Sequence, residues 1–441
     1  MTGFRAVRGD QRALFRWLML IGIGLRLIWA IAVPVFPVSD SEAYDQFART
    51  LATHGVYGWS AEEPTAYWAV GTSALVAFTY LFTESYLGVV VLNLIAGVMI
   101  LALTFHLARR WFGESVGMLA LGLVAFWPNL IFFTSVLSSE LFFIAGLLAG
   151  LVFWQRPHGH PVANLLLAGL IWGLTSYIRP VVLLVPVALA LVDLVQGPRR
   201  FLHRAVQAGV IVLLIVLAAA PWSWRNQRVL GAPAMISTNF GANFWMGNNP
   251  QSSGGYMELP AEVATMSEIE RNDYLKDQAK QFIREEPAAA LRLLALKLVK
   301  LNNRETIGVV WNEQNLTALI GARGVMLTKI VATLYWYLLL AGALGGMVVI
   351  AGRSGIAAAL FNQPVSLWGY FTALHVVVVA EDRYHMPSSP FIAVLAAVAL
   401  HRVWINQIRK QDRDEPLDID PDCRGRERRA ESLSEKGRAG A

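Results

Sequence analysis

Apolar runs close to 20 residues long recur from one end of this 441-residue chain to the other. That is about the length a helix needs to cross the hydrocarbon core of a bilayer, ~20 residues at 1.5 Å rise. The composition agrees: 55% of residues are hydrophobic, 15% are charged and the mean hydropathy is +0.47. The sequence therefore predicts an all-α, polytopic membrane protein. About ten spans are expected, near residues 17–36, 86–107, 115–134, 138–155, 162–178, 180–195, 205–221, 325–350, 356–379 and 389–405. The fifteen Trp, many near run ends, fit interfacial anchors.

Basic residues in short loops set the expected orientation. One side carries the N-terminal arginines, Arg109-Arg110, Arg156, Arg199-Arg200, Arg204, Arg353 and the residues after Arg402. The short connections of the other side hold only Arg179 and Arg383. Both termini are then cytoplasmic, and two large loops, 37–85 and 222–322, face outward. This makes residues 1–405 one membrane domain and 406–441 a disordered cytoplasmic tail. Arg5, Arg8, Arg12 and Arg16 precede the first span as in a signal peptide, but no small-residue cleavage site follows. The net charge of +6 lies in loops and tail, a topology signal that excludes nucleic acid as a partner. The single cysteine, Cys423, excludes disulfide frameworks and cysteine metal sites.

Within the first outer loop, the apolar segment 64–83 would reverse every later loop if it spanned, so a surface-lying helix is expected. In the second, residues 222–260 read as ordered turns and 262–304 as helices. Residues Pro287 to Leu301, with Arg292, Lys297 and Lys300 among leucines, suit a juxtamembrane helix presenting cations near head groups.

The candidate chemistry begins at Ser39-Asp40-Ser41-Glu42-Ala43-Tyr44-Asp45, where the first span emerges into water. Ser39-x-x-Glu42 matches a capping box, which reads Asp40 and Glu42 as plain helix-start chemistry. Against that, Asp40, Tyr44, Phe47 and Leu51 share one helical face. An acid heading an apolar face at the membrane edge is costly without a role. Glu140 is a second acid at the outer end of a span, readable as a cap, an anchor or a functional group. Arg179-Pro180, Arg225-Asn226-x-Arg228 and Arg383-Tyr384-His385 place cations at the same level. Singly, each is more often a lipid-facing or carbonyl-bonded cation than a ligand site.

Taken in order, the chain carries Asp40-x-x-x-Tyr44, Pro64 to Phe82, Ser139-Glu140-Leu141-Phe142, Arg179-Pro180 and Pro221-Trp222-Ser223-Trp224-Arg225-Asn226. Gly247-Asn248-Asn249-Pro250 and Arg383-Tyr384-His385-x-Pro387-x-x-Pro390 follow. Over about residues 14–405 this series resembles the integral-membrane glycosyltransferases of the C-type fold. It is most similar to the bacterial branch related to protein O-mannosyltransferases and lipid A aminoarabinose transferases. Many of those enzymes carry Asp-Glu where this chain has Asp40-Ser41, and Pro-Pro-Gly-Tyr-Pro where it has Trp68-Ala69-Val70-Gly71-Thr72.

The resemblance implies an inner-membrane enzyme that moves a sugar from a polyprenyl-phosphate carrier to a lipid, glycan or protein acceptor on the outer face. It implies Asp40 as the catalytic acid, with Glu140 as a second candidate. A general base accepts the attacking hydroxyl's proton, and cations at the leaving phosphate stabilise the charge that develops. Arg179, Arg225, Arg383, Lys297 and Lys300 are the cation candidates, without ranking. Tyr44, Glu42, Asn248, Tyr384 and His385 are candidate substrate contacts. No cofactor is assigned: an Asp-x-Asp motif is missing from the first loop, while Asp40 and Glu140 could share a divalent ion if close. Two rival readings are a transporter or flippase of a lipid-linked sugar and a polymerase or ligase of surface polysaccharide. Clean spans and one-sided polarity argue against passage through the membrane, and product length separates the second. A non-catalytic scaffold would leave the ordered motifs as accident.

Overall fold

A computed structural model describes residues 2–155, 160–193 and 197–414 of the chain. Among these, every regular element is helical, and Gly58 and Pro64 form one isolated antiparallel bridge. In chain order the helices are α1 (Thr2–Ala32), α2 (Asp40–His54), α3 (Val70–Tyr80), α4 (Leu87–Phe112), α5 (Glu114–Ala125) and α6 (Pro128–Phe132). Then come α7 (Glu140–Trp154), α8 (Pro161–Ser176), α9 (Val185–Val192), α10 (Pro198–Leu230), α11 (Phe240–Gly247) and α12 (Glu268–Glu285). The last are α13 (Pro287–Asn302), α14 (Ile307–Val310), α15 (Glu313–Ser354), α16 (Ile356–Leu360), α17 (Gln363–Val377) and α18 (Ser389–Asp414). A short 3₁₀ turn at Pro180–Leu184 directly follows Arg179, and another at Asp382–Ser388 contains Arg383.

Among the described residues, five helices are long and apolar enough to cross a membrane: Gln11–Ala32, Leu87–Phe112, Pro198–Leu230, Glu313–Ser354 and Asp382–Gln407. The bent pair Glu114–Ala125 and Pro128–Ser135, 61° apart, makes a sixth if counted as one span. The chain is a multi-pass membrane protein. Four other expected spans are helices of 15, 16, 8 and 15 residues (α7, α8, α9 and α17), shorter than the ~20 needed to cross alone. The short α3, 11 residues, also falls below that length. The helix α10 runs through Pro221 to Leu230, so the first nine residues expected as turns are helical. The stretch expected as a disordered tail begins as helix, since α18 continues to Asp414; residues 415–441, with Cys423, lie outside those described, as does Arg156.

The centre of the bundle is the first half of α18, where eight consecutive residues, Phe391 to Val398, are buried. A helix buried all round must be apolar all round, and this stretch is. It meets α15 at Gly342-x-x-x-Gly346, the small-residue spacing that lets membrane helices approach closely. A Cβ added at Gly346 would stand 2.0 Å from the Leu395 carbonyl oxygen, so only glycine fits. The α5–α6 break follows from Pro128, which starts α6 and disfavours continuation through the residue before it. Breaking a helix orphans its last carbonyls. The buried Arg26 of α1 donates to two of them, Val124 and Ala125, at 3.2 and 3.3 Å, and to Gly22 at 2.9 Å.

Candidate active site

Helix α2 starts from an unusual residue. Ser39 stands at φ 56°, ψ −127°, the one non-glycine with positive φ among the described residues. Such a conformation costs on the order of 1–3 kcal/mol and persists only where the surroundings impose it. It corrects the expected capping box, because a capping serine needs extended φ/ψ and the Ser39 side chain makes no cap bond here. Glu42 correspondingly points outward and is exposed. The strained turn instead starts the helix with Asp40 lining a cavity, and one turn later Tyr44 lines it too. Asp45 accepts bonds from Arg49, Tyr80 and Tyr86 and so ties α2 to α3 and to the start of α4.

Two arginines meet two acids on this wall. Arg383 Nη2 lies 2.6 Å from Asp40 Oδ2, with the guanidinium over the rings of Trp311 (4.8 Å) and Tyr384 (5.2 Å). Arg179, held extended by the proline that follows it, pairs with Glu140 and donates to Ser139 Oγ at 2.8 Å. Glu140 is 1% exposed, and Arg179 supplies the cation beside it. Tyr44 is buried beside both pairs. Burial first, and the Asp40 charge second, push its phenol above the ordinary range, so it stays a hydrogen-bond donor. Across the cavity, burial pushes Tyr67 up to about 12, opposed by Arg271 and reinforced by Asp40.

A second charged group shares the cavity. Lys300 Nζ lies 3.1 Å from Glu381 Oε1, and Arg304 Nε lies 3.6 Å from Asp382 Oδ2. Glu381 also accepts the backbone N–H of Tyr256, and Asp382 that of Thr306 together with its hydroxyl. Four cations thus face four carboxylates, and the pairs cancel. The cavity measures about 740 Å³ and is lined by aromatic groups (Trp68, Phe240, Trp311, Tyr384) with Asn239 and Asn243 between them. The two long loops are joined through Glu268, which accepts from the Ala66 N–H at 3.0 Å and from the hydroxyls of Thr65 and Thr238.

The structure thus brings Asp40, Tyr44, Arg179, Lys300, Arg383 and Tyr384 to one cavity, with Glu140 directly behind Arg179. Of the other candidates, Glu42 is exposed, while Arg225, Lys297, Asn248 and His385 make their contacts outside the cavity lining. Arg225 donates to the carbonyls of Thr65 (2.8 Å) and Tyr57 (3.0 Å), pinning the first loop to the end of α10. Lys297 is fully buried, its ammonium 3.0 Å from Asn248 Oδ1 and 3.0 Å from the Val377 carbonyl, and burial pulls it down to about 8. Asn248 in turn donates to the carbonyls of Phe244, Val377 and Val378. Gly247 packs so close to α17 that a Cβ would stand 1.9 Å from the Val378 oxygen. His385 is buried, stacked on Trp336 at 3.9 Å, with Nδ1 2.8 Å from the Leu301 carbonyl.

Sequence reasoning missed Ser39, Trp311, Arg304, Glu381 and His375, all of which line the cavity. The signal for Glu381 was available, since Glu381-Asp382 directly precede Arg383. Among the described residues no group of three or more His, Cys, Asp or Glu side chains could hold a metal ion.

Residues 67–224 match the family described as dolichyl-phosphate-mannose-protein mannosyltransferase. No curated protein matches the chain in sequence. Among solved structures, the apo oligosaccharyltransferase of Archaeoglobus fulgidus superposes with a TM-score of 0.54 at 13% identity, covering 91% of this chain and 52% of that one. The archaeal oligosaccharyltransferase AglB of the same organism, in complex with an inhibitory peptide and a dolichol-phosphate, gives 0.50 at 14%, covering 93% and 52%. ArnT from Cupriavidus metallidurans, bound to undecaprenyl phosphate, gives 0.51 at 16%, covering 90% and 62%. The fold is therefore the one these proteins share. The chain spans about half the length of the oligosaccharyltransferases it matches.

Proposed function

We propose that this protein transfers a sugar from a polyprenyl-phosphate carrier to an acceptor, with inversion, at the periplasmic face of the inner membrane. In this reading the chain crosses the membrane about ten times. Both termini are cytoplasmic and the two long loops face outward, with the cavity between them. The observation that carries it is the Asp40–Arg383 contact at 2.6 Å, beside Arg179 and Glu140, on the wall of a cavity large enough for a sugar phosphate. The match to a dolichyl-phosphate-mannose-dependent family over residues 67–224 and the fold shared with ArnT support it.

The chemistry follows from charge. The donor is a phosphodiester carrying one negative charge, and its leaving group is a monoester carrying two. Cations at the leaving oxygen therefore gain strength as the reaction proceeds, which lowers the barrier rather than merely tightening binding. Arg383 and Arg179 are placed for this, with Lys300 and Arg304 within the same cavity. Asp40 takes the proton of the acceptor hydroxyl as its oxygen attacks the anomeric carbon, from the face opposite the phosphate.

The test is purified protein in lipid nanodiscs with radiolabelled polyprenyl-monophosphate sugars and an acceptor extract of the same membrane. One sugar per acceptor, with release of polyprenyl phosphate, is the expected product. Label crossing vesicles with no product, or long chains built only from diphosphate-linked oligosaccharides, would replace this reading.

A further inference from the structure

We propose that the Asp40–Arg383 ion pair is a lock on the general base, opened by the phosphate of the incoming donor. This rests on the glycosyltransferase reading above and concerns the order of events in the same site. In the resting protein Asp40 Oδ2 is engaged by Arg383 Nη2 at 2.6 Å. A carboxylate oxygen held by a guanidinium N–H is not free to receive a proton from an acceptor hydroxyl.

The other pairs of the cavity are built to stay closed. Arg179 is fixed by Ser139 as well as by Glu140, which is itself buried. Glu381 and Asp382 are each held by backbone N–H groups in addition to their cations. Asp40 and Arg383 are different. Among the described residues no other hydrogen bond or ion pair holds either side chain, and both line the cavity. Apart from Asp40, Arg383 rests on the faces of Trp311 and Tyr384, contacts that tolerate a swing of the guanidinium.

A phosphate entering this cavity competes with Asp40 for that guanidinium. Arginine's planar fork matches phosphate oxygens in a bidentate fashion, stronger than one carboxylate contact. Once the fork turns to phosphate, Asp40 is released. The acceptor oxygen then bonds to the anomeric carbon and its proton passes to Asp40. The bond from that carbon to the phosphate oxygen breaks, and its electron pair leaves with the phosphate, now a dianion that Arg383 holds more tightly. Asp40 Oδ2 is thus free only once the donor is bound, and the donor binds first.

Binding of a polyprenyl monophosphate, with inorganic phosphate as the free-anion comparison, tests the lock on the full-length protein in nanodiscs. If Asp40 competes for Arg383, Asp40→Asn binds the lipid about tenfold more tightly and Arg383→Gln about tenfold more weakly, and the double variant binds like Arg383→Gln alone. A gain from Asp40→Asn that persists in the Arg383→Gln background is simple charge repulsion and overturns the lock. Unchanged affinity in Asp40→Asn overturns it as well. Trp311 emission gives a second readout that does not depend on an arginine variant folding. Lipid binding shifts it in the wild type, the shift is lost in Trp311→Phe, and no shift on binding overturns the lock. The same signs with inorganic phosphate at higher concentration assign the effect to the phosphate group. Signs seen only with the lipid assign it to the presented head group, and either supports the lock. A wild type that binds no polyprenyl phosphate overturns the donor reading itself, an outcome distinct from a lock that fails while wild-type binding is intact.

Discussion

Glu140 opens helix α7 with its carboxylate turned to Arg179, and the arginine reaches it from a turn that begins only at Pro180. The acid is almost wholly out of solvent, and Arg179 is the cation it faces. Glu140→Ala should cost about 3–5 kcal/mol, because it leaves a partly buried guanidinium uncompensated. Glu140→Gln, which keeps a hydrogen-bond acceptor, should cost less. Scanning fluorimetry of the three proteins checks the ranking, and equal transitions would show that the pair does not hold the wall together.

Asp40→Asn is expected to fold and to lose transfer by about 10²–10⁴-fold, the usual contribution of a positioned base. Its partner remains able to rest on Trp311 and Tyr384, so stability should move little. Single-turnover rates with saturating donor are the measurement. A purified Asp40→Asn that turns over normally removes Asp40 from the base role.

Ser39 makes an opposite-signed prediction for stability and activity. Glycine adopts φ 56°, ψ −127° without a Cβ clash, so Ser39→Gly should raise stability by about 1 kcal/mol, whereas Ser39→Val should lower it by about 2 kcal/mol. The same glycine loosens the aim of Asp40 and should lower the rate without raising the donor's KM. Paired melting curves and steady-state kinetics decide it. A Ser39→Gly protein that melts lower than the wild type would show that the turn is not strained.

Lys297 gives a pH dependence of known sign. Burial holds its folded-state value at about 8, below the ordinary lysine value of 10.5 that applies unfolded. Between these two pH values the unfolded chain binds more protons, so stability rises with pH across that window. Below about pH 8 the group is charged in both states and its contribution is flat. Relative to Lys297→Met, which removes the titration, the wild type should gain stability between pH 7.5 and 9.5. An unchanged difference in melting temperature across that range would show that Lys297 keeps an ordinary value.

The membrane class and several cavity groups were legible for physical reasons. Long apolar runs admit few structures, and a charge at the end of such a run needs a partner, which is how Asp40, Glu140, Arg179 and Arg383 stood out. Lys297 was not legible from composition, because a lysine on a leucine-rich helix looks like a head-group contact. Its spacing from Ala290, Leu293 and Leu301, all on the buried face, held the signal that it points inward. Ser39 shows the opposite limit. The Ser-x-x-Glu pattern fits a cap, and only the backbone reveals that the turn is bent the other way. Helices α7 to α9 are shorter than the apolar runs that contain them, because hydropathy counts apolar residues and does not register where Pro180 or the end of a helix interrupts them.

Asp40 stands near the start of the chain and Arg383 near its end, and they meet only through the turn just before α18. Every element between them must be made before the acid acquires its counter-charge. During synthesis the nascent protein therefore carries a carboxylate without this partner and an unfinished pocket. Packing of α18 at the centre of the bundle is therefore what brings the two charges together.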